Sequence, residues 1–441
     1  MKNRFFKYVS QNILAMIGLS LYILADTYFI SKAVGANGIT ALNMALPVYG
    51  VIFALGQMVG VGSAIRYSIV KEQYRNSNKG DSNECDKYFS GALFWGLVIG
   101  VIFAVLGLVF PDKIVEIMGG DETIVAIGVP YFRIFMSFSP FFIFNYTCNA
   151  FVRNDGNPSV SMAATLISSL FNIVFDYILM FPLGMGMPGA ALATALSPVV
   201  GVMICMIHFL SKKNTVKFKW FKTSLTRLFH CCQVGMSAFV GEMSGAVIVM
   251  VFNFIILRLT GNIGVAAYGV VANTALVAVA VFNGVALGSQ PLISESYGKH
   301  NIKDIKLIEK LGVTTALGLA VIIVIMIWGF TDTIVGVFNS QGSDRLLSLA
   351  RVGLRIYFIG FLFAGINIFC SSALSAIASV KWAFVLSILK GFVVVNVCAA
   401  ILAPIFGMNG VWVAFPLSEF ILLIISGVAM KKSIGALESE R

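Results

Sequence analysis

"GMPGAALATALS" at residues 186–197 returns 221 residues later as "GMNGVWVAFPLS" at 407–418, with Gly, Met, Gly, Ala, Leu and Ser in register. "RIFMSFSPFFIFNYTC" (133–148) returns at an offset of 222 as "RIYFIGFLFAGINIFC" (355–370), sharing Arg, Ile, Phe, Asn and Cys. Gly35, Gly38, Ala41, Gly62 and Ser63 return at an offset of 226 as Gly261, Gly264, Ala267, Gly288 and Ser289. Three windows at nearly one offset describe a chain built as two related halves.

The medium in which those halves fold follows from the charge content. Of 441 residues, 58% are hydrophobic and only 12% are charged, whereas soluble domains carry about a quarter. Apolar runs of spanning length, roughly 20 residues each, fall at about 9–31, 42–69, 88–110, 124–150, 159–182 and 188–210. A second set follows at about 232–257, 267–293, 311–330, 347–376, 382–404 and 408–430. The expected fold is an all-α polytopic membrane protein of twelve transmembrane helices in two six-helix lobes. An even number of spans per half gives both halves one orientation. Parallel repeats of this kind surround a central cavity in secondary transporters.

The net charge of +11 is spread through short loops between apolar runs, where Lys and Arg orient the chain rather than bind nucleic acid. With the N-terminus in the cytoplasm, the inner segments hold 23 Lys and Arg and the outer loops four. Both termini are therefore expected in the cytoplasm, with the protein in the cell's inner (plasma) membrane. The longest basic linker, 211–230, divides an N-lobe (1–210) from a C-lobe (231–430), and 431–441 forms a cytoplasmic tail. The basic start leads into an apolar stretch too long for a signal peptide, with no A-x-A-like site after it, so it reads as a retained first span. Seven cysteines, an odd count without paired spacing, read as small apolar packing residues. Adjacent Cys231 and Cys232 lack the surrounding His–Cys cluster of a metal site.

An ionised Asp at a helix centre costs roughly 2.5–3.5 kcal/mol on insertion scales, so it is retained mainly against protein, water or a partner. Asp26 is the eighteenth residue of the first span and Asp176 the eighteenth of the fifth. Thr194, seventh in the descending sixth span, reaches nearly the same depth, and Asn172 lies one turn below Asp176 on the same face. Two carboxylates, an amide and a hydroxyl thus share one layer of the N-lobe. Nearby carboxylates in a low dielectric cannot both ionise cheaply, so the pair holds a proton. Na⁺, a hard cation suited to oxygen ligands, fits the same four residues. The competing reading has each Asp cap a helix break, since Gly184, Gly186 and Pro188 follow Asp176 closely.

The second half carries Glu242, Lys390 and Glu419 at mid-membrane. They read either as a self-neutralising cluster or with Lys390 snorkelling to the inner surface. Asn145 and Asn149 on the fourth span read as substrate contacts or as hydrogen bonds between helices.

At these residues the sequence resembles the multidrug and toxic compound extrusion (MATE) family over nearly its whole length. "RNDGNPSVSM…FNIVFDYILMFPLGMGMPGAALAT" (153–194) is similar to that family's R-N-x-G-N-P … N-x-x-x-D … G-x-G-x-x-G-A-A-x-A-T pattern. "LADTYFISKAVG" (24–35) resembles its first-helix Asp motif and "ALGSQPLISESYGKHN" (286–301) its helix-8 end. "GMSAFVGEMSG" (235–245) and "GVWVAFPLSEF" (410–420) resemble the bacterial MepA-type branch. The resemblance implies an antiporter that exports lipophilic, cationic drugs or toxic organic compounds by alternating access, driven by H⁺ or Na⁺. It implies Asp26, Asn172, Asp176 and Thr194 as the cation site, with no cofactor beyond that ion. It also implies small organic molecules and the lipid bilayer as partners, in a functional monomer. Gln11 stands where many relatives have a proline, so no proline bend of the first helix is expected. The tenth span lacks the acid found in another branch, so a copy of that branch's C-lobe site is not expected either.

The alternative is a flippase for lipid-linked saccharides, whose pyrophosphate substrates favour several basic groups in the cavity. An enzyme is not expected: no H-E-x-x-H occurs, and the three histidines (208, 230, 300) sit at helix ends or in a loop. The absence of G-x-x-x-x-G-K-[ST] excludes ATP drive from this chain.

Overall fold

A computed structural model describes residues 1–76, 83–221, 223–338 and 343–439. Among the basic residues behind the orientation reading, Lys79, Lys222 and Arg441 lie outside the described residues. Every regular element among the described residues is helical. The first half comprises α1 (Lys2–Ala33), α2 (Ala36–Asn76), α3 (Asn83–Val109), α4 (Pro111–Ile117), α5 (Glu122–Ser137), α6 (Ser139–Asn154), α7 (Pro158–Met180) and α8 (Met187–Phe209). The second comprises α9 (Leu225–Thr260), α10 (Asn262–Gly298), α11 (Ile302–Gly329), α12 (Thr331–Phe338), α13 (Asp344–Tyr357), α14 (Phe361–Ala376), α15 (Val380–Ile388), α16 (Val394–Phe406) and α17 (Met408–Ser439).

Eleven helical stretches are long and apolar enough to cross a membrane, and the bent pair α5–α6 makes a twelfth. That pair bends by 46° where Pro140 enters the first turn of α6, since its ring cannot continue the preceding helix. α1 has no interior proline and runs unbroken. Leu97, Val101, Ile102, Val105 and Leu108 of α3 are exposed, a face suited to acyl chains, which need no hydrogen bonds from it.

The repeat extends to the backbone. Gly35 and Gly261 open the second helix of each half at φ +80° and +70°, and Gly186 and Gly407 precede the last helix at +56° and +58°. Only glycine enters this region at no steric cost. The short helices α4 and α12 also correspond.

The compact units differ from the two sequence halves. One is Leu14–Phe239; the other is Met1–Ile13 together with Val240–Arg441. α1 and α9, the first helix of each half, therefore contribute to both units. Close backbone contact is the reason. A Cβ on Gly62 of α2 would lie 2.1 Å from the Cys231 carbonyl oxygen of α9, and one on Gly235 would lie 2.0 Å from the Met58 carbonyl oxygen. In the other unit, a Cβ on Gly288 of α10 would lie 2.7 Å from Val9 Cα of α1. Phe5, Tyr8 and Val9 share a buried cluster with Val285 and Leu292, and Arg4 donates to Glu295 at 2.7 Å.

The R-N-D-G-N-P run builds the turn between α6 and α7. Gly156 takes φ +93°, Pro158 starts α7, and the Asp155 side chain is fully buried. Asp155 accepts from Tyr67 OH, Lys71 Nζ, His208 Nε2 and the Thr215 backbone N–H, each at 2.9 Å. The Thr215 hydroxyl donates to it as well. Asn157 Nδ2 donates to His208 Nδ1 at 3.2 Å, which leaves the imidazole proton on Nε2, facing Asp155. One carboxylate thus ties α2, α8 and the linker together. Burial alone would raise its pKa, but the bond from His208, the charge of Lys71 and the bonds from Thr215 hold it below the ordinary carboxylate range.

Two predictions follow from these contacts. Gly62→Ala should lower the melting temperature in detergent, because backbone must move at a cost of about 1–3 kcal/mol. Gly318→Ala, where a Cβ meets nothing within 4 Å, should be neutral or raise stability by up to about 1 kcal/mol; the reverse order would exclude the backbone contact as the constraint. Asp155→Asn should cost at least about 2 kcal/mol, since charge-assisted bonds are lost. A depressed pKa gives stability that is present above the unfolded value of about 4 and lost as pH falls through the folded value. The loss on mutation should therefore be the same at neutral and mildly alkaline pH and shrink only below about pH 4. A loss that varies across the neutral range would exclude the Asp155 carboxylate as the source of the effect.

Candidate cation-binding site

The site forms within the unit Leu14–Phe239. α7 is helical through Asn172 and Asp176, which lie one turn apart on its buried face. The break at Gly184 and Gly186 (φ +60° and +56°) turns the chain so that α8 packs back against α7. Gly189 makes the approach close: a Cβ there would lie 3.1 Å from the Leu179 carbonyl carbon. Thr194 then meets Asn172, whose Nδ2 donates to Thr194 Oγ1 at 3.2 Å.

α1 brings Asp26 to the same place. Its carboxyl and that of Asp176 are close enough to interact directly. Relative exposure is 8% for Asp26, 4% for Thr194 and 0% for both Asn172 and Asp176. Both carboxylate oxygens of Asp176, Asp26 Oδ1 and Asn172 Oδ1 are buried and accept no hydrogen bond from the described residues. A buried polar atom without a partner costs about 1–3 kcal/mol, and more if charged. Four such oxygens in one spot form a set of acceptors matched to a proton or to a hard cation such as Na⁺.

Sequence reasoning missed the aromatic surround. Tyr22, one turn before Asp26, and Tyr131 of α5 are both near enough to feel the two carboxylates. Tyr131 OH lies 3.0 Å from Tyr49 OH of α2. The spacing of Tyr22 before Asp26 was a usable signal; Tyr49 and Tyr131 come from other elements and had none.

The other predicted residues fall elsewhere. Asn149 Nδ2 donates to Asn145 Oδ1 and to the Asn145 carbonyl, both at 2.9 Å, and Ser161 Oγ donates to Asn149 Oδ1 at 3.1 Å. Asn145 Oδ1 also faces Gly201 of α8, at the place a Cβ would occupy. Both amides thus bind α6 to α7 and α8. In the other unit, Glu419 is buried and accepts from Asn367 Nδ2 at 2.7 Å, while Ser426 donates to Asn367 Oδ1 at 2.8 Å. Lys390 lies in a π-helical turn, Leu389–Val393, and its ammonium feels the Glu419 carboxylate. Glu242 lies on α9 with an exposed side chain. Among the described residues, no group of three or more His, Cys, Asp or Glu side chains could hold a metal ion.

The multidrug export protein MepA of Staphylococcus aureus is 27% identical over 405 residues, covering 90% of this chain and 86% of its own. The MepA of Staphylococcus saprophyticus is 25% identical over 393 residues, with 89% and 85% covered. A solved multidrug resistance MATE family transporter of the MOP superfamily, in an outward-facing conformation, superposes with a TM-score of 0.92 at 22% identity. The match covers 99% of this chain and 96% of that one. The sequence profile of the MatE family matches residues 12–178 and again residues 238–405. One profile found twice, on the two repeats, means that the chain belongs to the MatE family and is a multi-pass membrane transporter, not an enzyme.

Proposed function

We propose that this transporter exports lipophilic, cationic organic compounds through the plasma membrane, in exchange for a monovalent cation bound by Asp26, Asn172, Asp176 and Thr194. The observation that carries the reading is the set of four unpartnered, buried oxygens on α1 and α7. The site's charge changes when an ion arrives, and two ions fit. A proton relieves repulsion between the carboxylates; Na⁺ does so while taking the amide and hydroxyl oxygens as further ligands. Either could bias the packing of α1, α7 and α8 and so drive alternating access.

The Staphylococcus relatives are named multidrug export proteins, which supports efflux over saccharide flipping here. The loop charges support cytoplasmic termini. Both repeats lie in one chain, which supports a monomer as the working unit. Asn145 and Asn149 are assigned to helix packing rather than substrate contact. Lys390 is assigned to compensating the charge of the buried Glu419 across the second unit's core.

Asp176→Asn keeps the side chain's shape and removes its charge. In sealed vesicles it should abolish dye efflux driven by an imposed gradient while the protein still folds and inserts. Imposing H⁺ and Na⁺ gradients separately on the wild type identifies the ion, and wild-type rates from Asp176→Asn under both would falsify the assignment. Lys390→Met should lower the melting temperature, because removing one partner of a buried pair costs about 3–5 kcal/mol. Adding Glu419→Gln should restore part of that loss. A double variant no more stable than Lys390→Met would show that Lys390 instead reaches the membrane surface.

A further inference from the structure

A cavity of about 1000 Å³ lies within the unit Leu14–Phe239, away from the cation site. It is bounded by α3, α6, α8, the linker and the start of α9. At this volume it stands at the upper end of the roughly 300–1000 Å³ of small-molecule sites. Its inner walls are apolar: Trp95, Leu97, Phe144, Val202 and Met206. Its outer end is basic, with Lys87, Lys217, Lys219 and Arg227.

We propose that this cavity binds an anionic phospholipid from the leaflet on the linker side, with an acyl chain among the apolar walls and the phosphate at the basic end. Charge balance supports the headgroup. Glu84 takes both Lys87 and Arg227, and Asp86 takes Lys219 at 2.9 Å. Four cations thus meet two carboxylates, and the exposed Lys217 ammonium has no carboxylate partner among the described residues. Dimensions support the tail. Lys87 and Leu97 both line the cavity and are separated by ten residues of α3. At 1.5 Å per residue this is about 15 Å, half of a hydrocarbon core of about 30 Å. The cavity therefore runs from the headgroup boundary to the bilayer midplane, the reach of one leaflet. Leu97 and Met206 line the cavity and are themselves exposed, so a chain can reach its apolar depth. A free phosphate would leave the apolar depth unfilled, and a lipophilic cation would meet a surplus of like charge.

The test uses the whole protein in nanodiscs of phosphatidylcholine, with small mole fractions of phosphatidylglycerol brominated on the acyl chain. Bromine quenches nearby tryptophan, and the part of the quenching that disappears in Trp95→Phe reports this cavity. That part should saturate, with apparent affinity about fivefold tighter than for brominated phosphatidylcholine, the effect of about one basic residue. A Cβ on Gly91, which lines the cavity, meets nothing within 4 Å, so Gly91→Phe should fill the space and remove saturable quenching. Leu97→Trp blocks the deep end independently, scored by competition of unbrominated lipid in native mass spectrometry. Lys217→Glu, at an exposed side chain, should erase the headgroup preference. Equal quenching by both lipids, or binding unchanged in both Gly91→Phe and Leu97→Trp, would overturn the proposal. So would displacement by soluble glycerol phosphate, which would make the site an anion site. Displacement by a cationic dye would make the cavity part of the export path and leave the lipid proposal refuted but the proposed function intact.

Discussion

The Asp26 and Asp176 carboxylates are buried together in a medium where water cannot compensate them, and much of the N-terminal half is arranged around that fact. An uncompensated ionised group in such a place costs several kcal/mol. The fold does not remove the cost by pairing the acids with Lys or Arg: Asp26 Oδ1 and both Asp176 oxygens accept no hydrogen bond from the described residues. Instead it surrounds them with groups of fixed position: the Asn172–Thr194 hydrogen bond on one side and the Tyr49–Tyr131 pair on another. The G-x-G break and the close approach at Gly189 bring α8 to the place where Thr194 is needed. The result is a cluster of buried oxygens that accept no hydrogen bond from the described residues, as the proposed cation site requires.

The second half repeats the backbone and not the chemistry. At the repeat offsets, Asp26 corresponds to Phe252, Asn172 to Val394, Asp176 to Cys398 and Thr194 to Phe415. Phe252, Cys398 and Phe415 belong to one buried apolar cluster, and Val394 packs against it. The same turn geometry at Gly186 and Gly407 thus brings together a polar site in one half and a hydrophobic core in the other. The polar groups of the second half occupy different positions: Glu419 accepts from Asn367, and Lys390 is near enough to feel the same carboxylate. A hydrogen-bonded buried acid such as Glu419 is compensated, whereas the buried oxygens of the first half are not.

Asp155 shows a different use of a buried acid. Five donors converge on it from α2, α8 and the linker. It is as buried as Asp176, yet it is fully compensated, and its role is to hold a turn and the basic linker in place. Burial alone therefore does not distinguish a compensated carboxylate from an uncompensated one; the number of donors around it does.

The sequence by itself determined the medium, the two-fold repeat and the twelve spans, and it singled out the four residues proposed here as a cation site. These are legible because they depend on local quantities: run length against bilayer thickness, an offset between matching windows, and depth counted at 1.5 Å per residue. Asn172 and Asp176 share a face because they are four residues apart, whatever the tertiary fold. Tertiary structure alone decided what depends on partners distant in the chain. The sharing of α1 and α9 between the two units rests on glycine contacts between helices that are far apart in sequence. His208 looked like a helix-end residue until the α6–α7 turn brought Asp155 to its Nε2. Asn145 and Asn149 could have faced substrate or protein, and only the fold placed them against Ser161 of α7 and Gly201 of α8. Hydropathy and spacing describe one helix at a time, and a polar side chain's role in a membrane depends on which other helix supplies its partner.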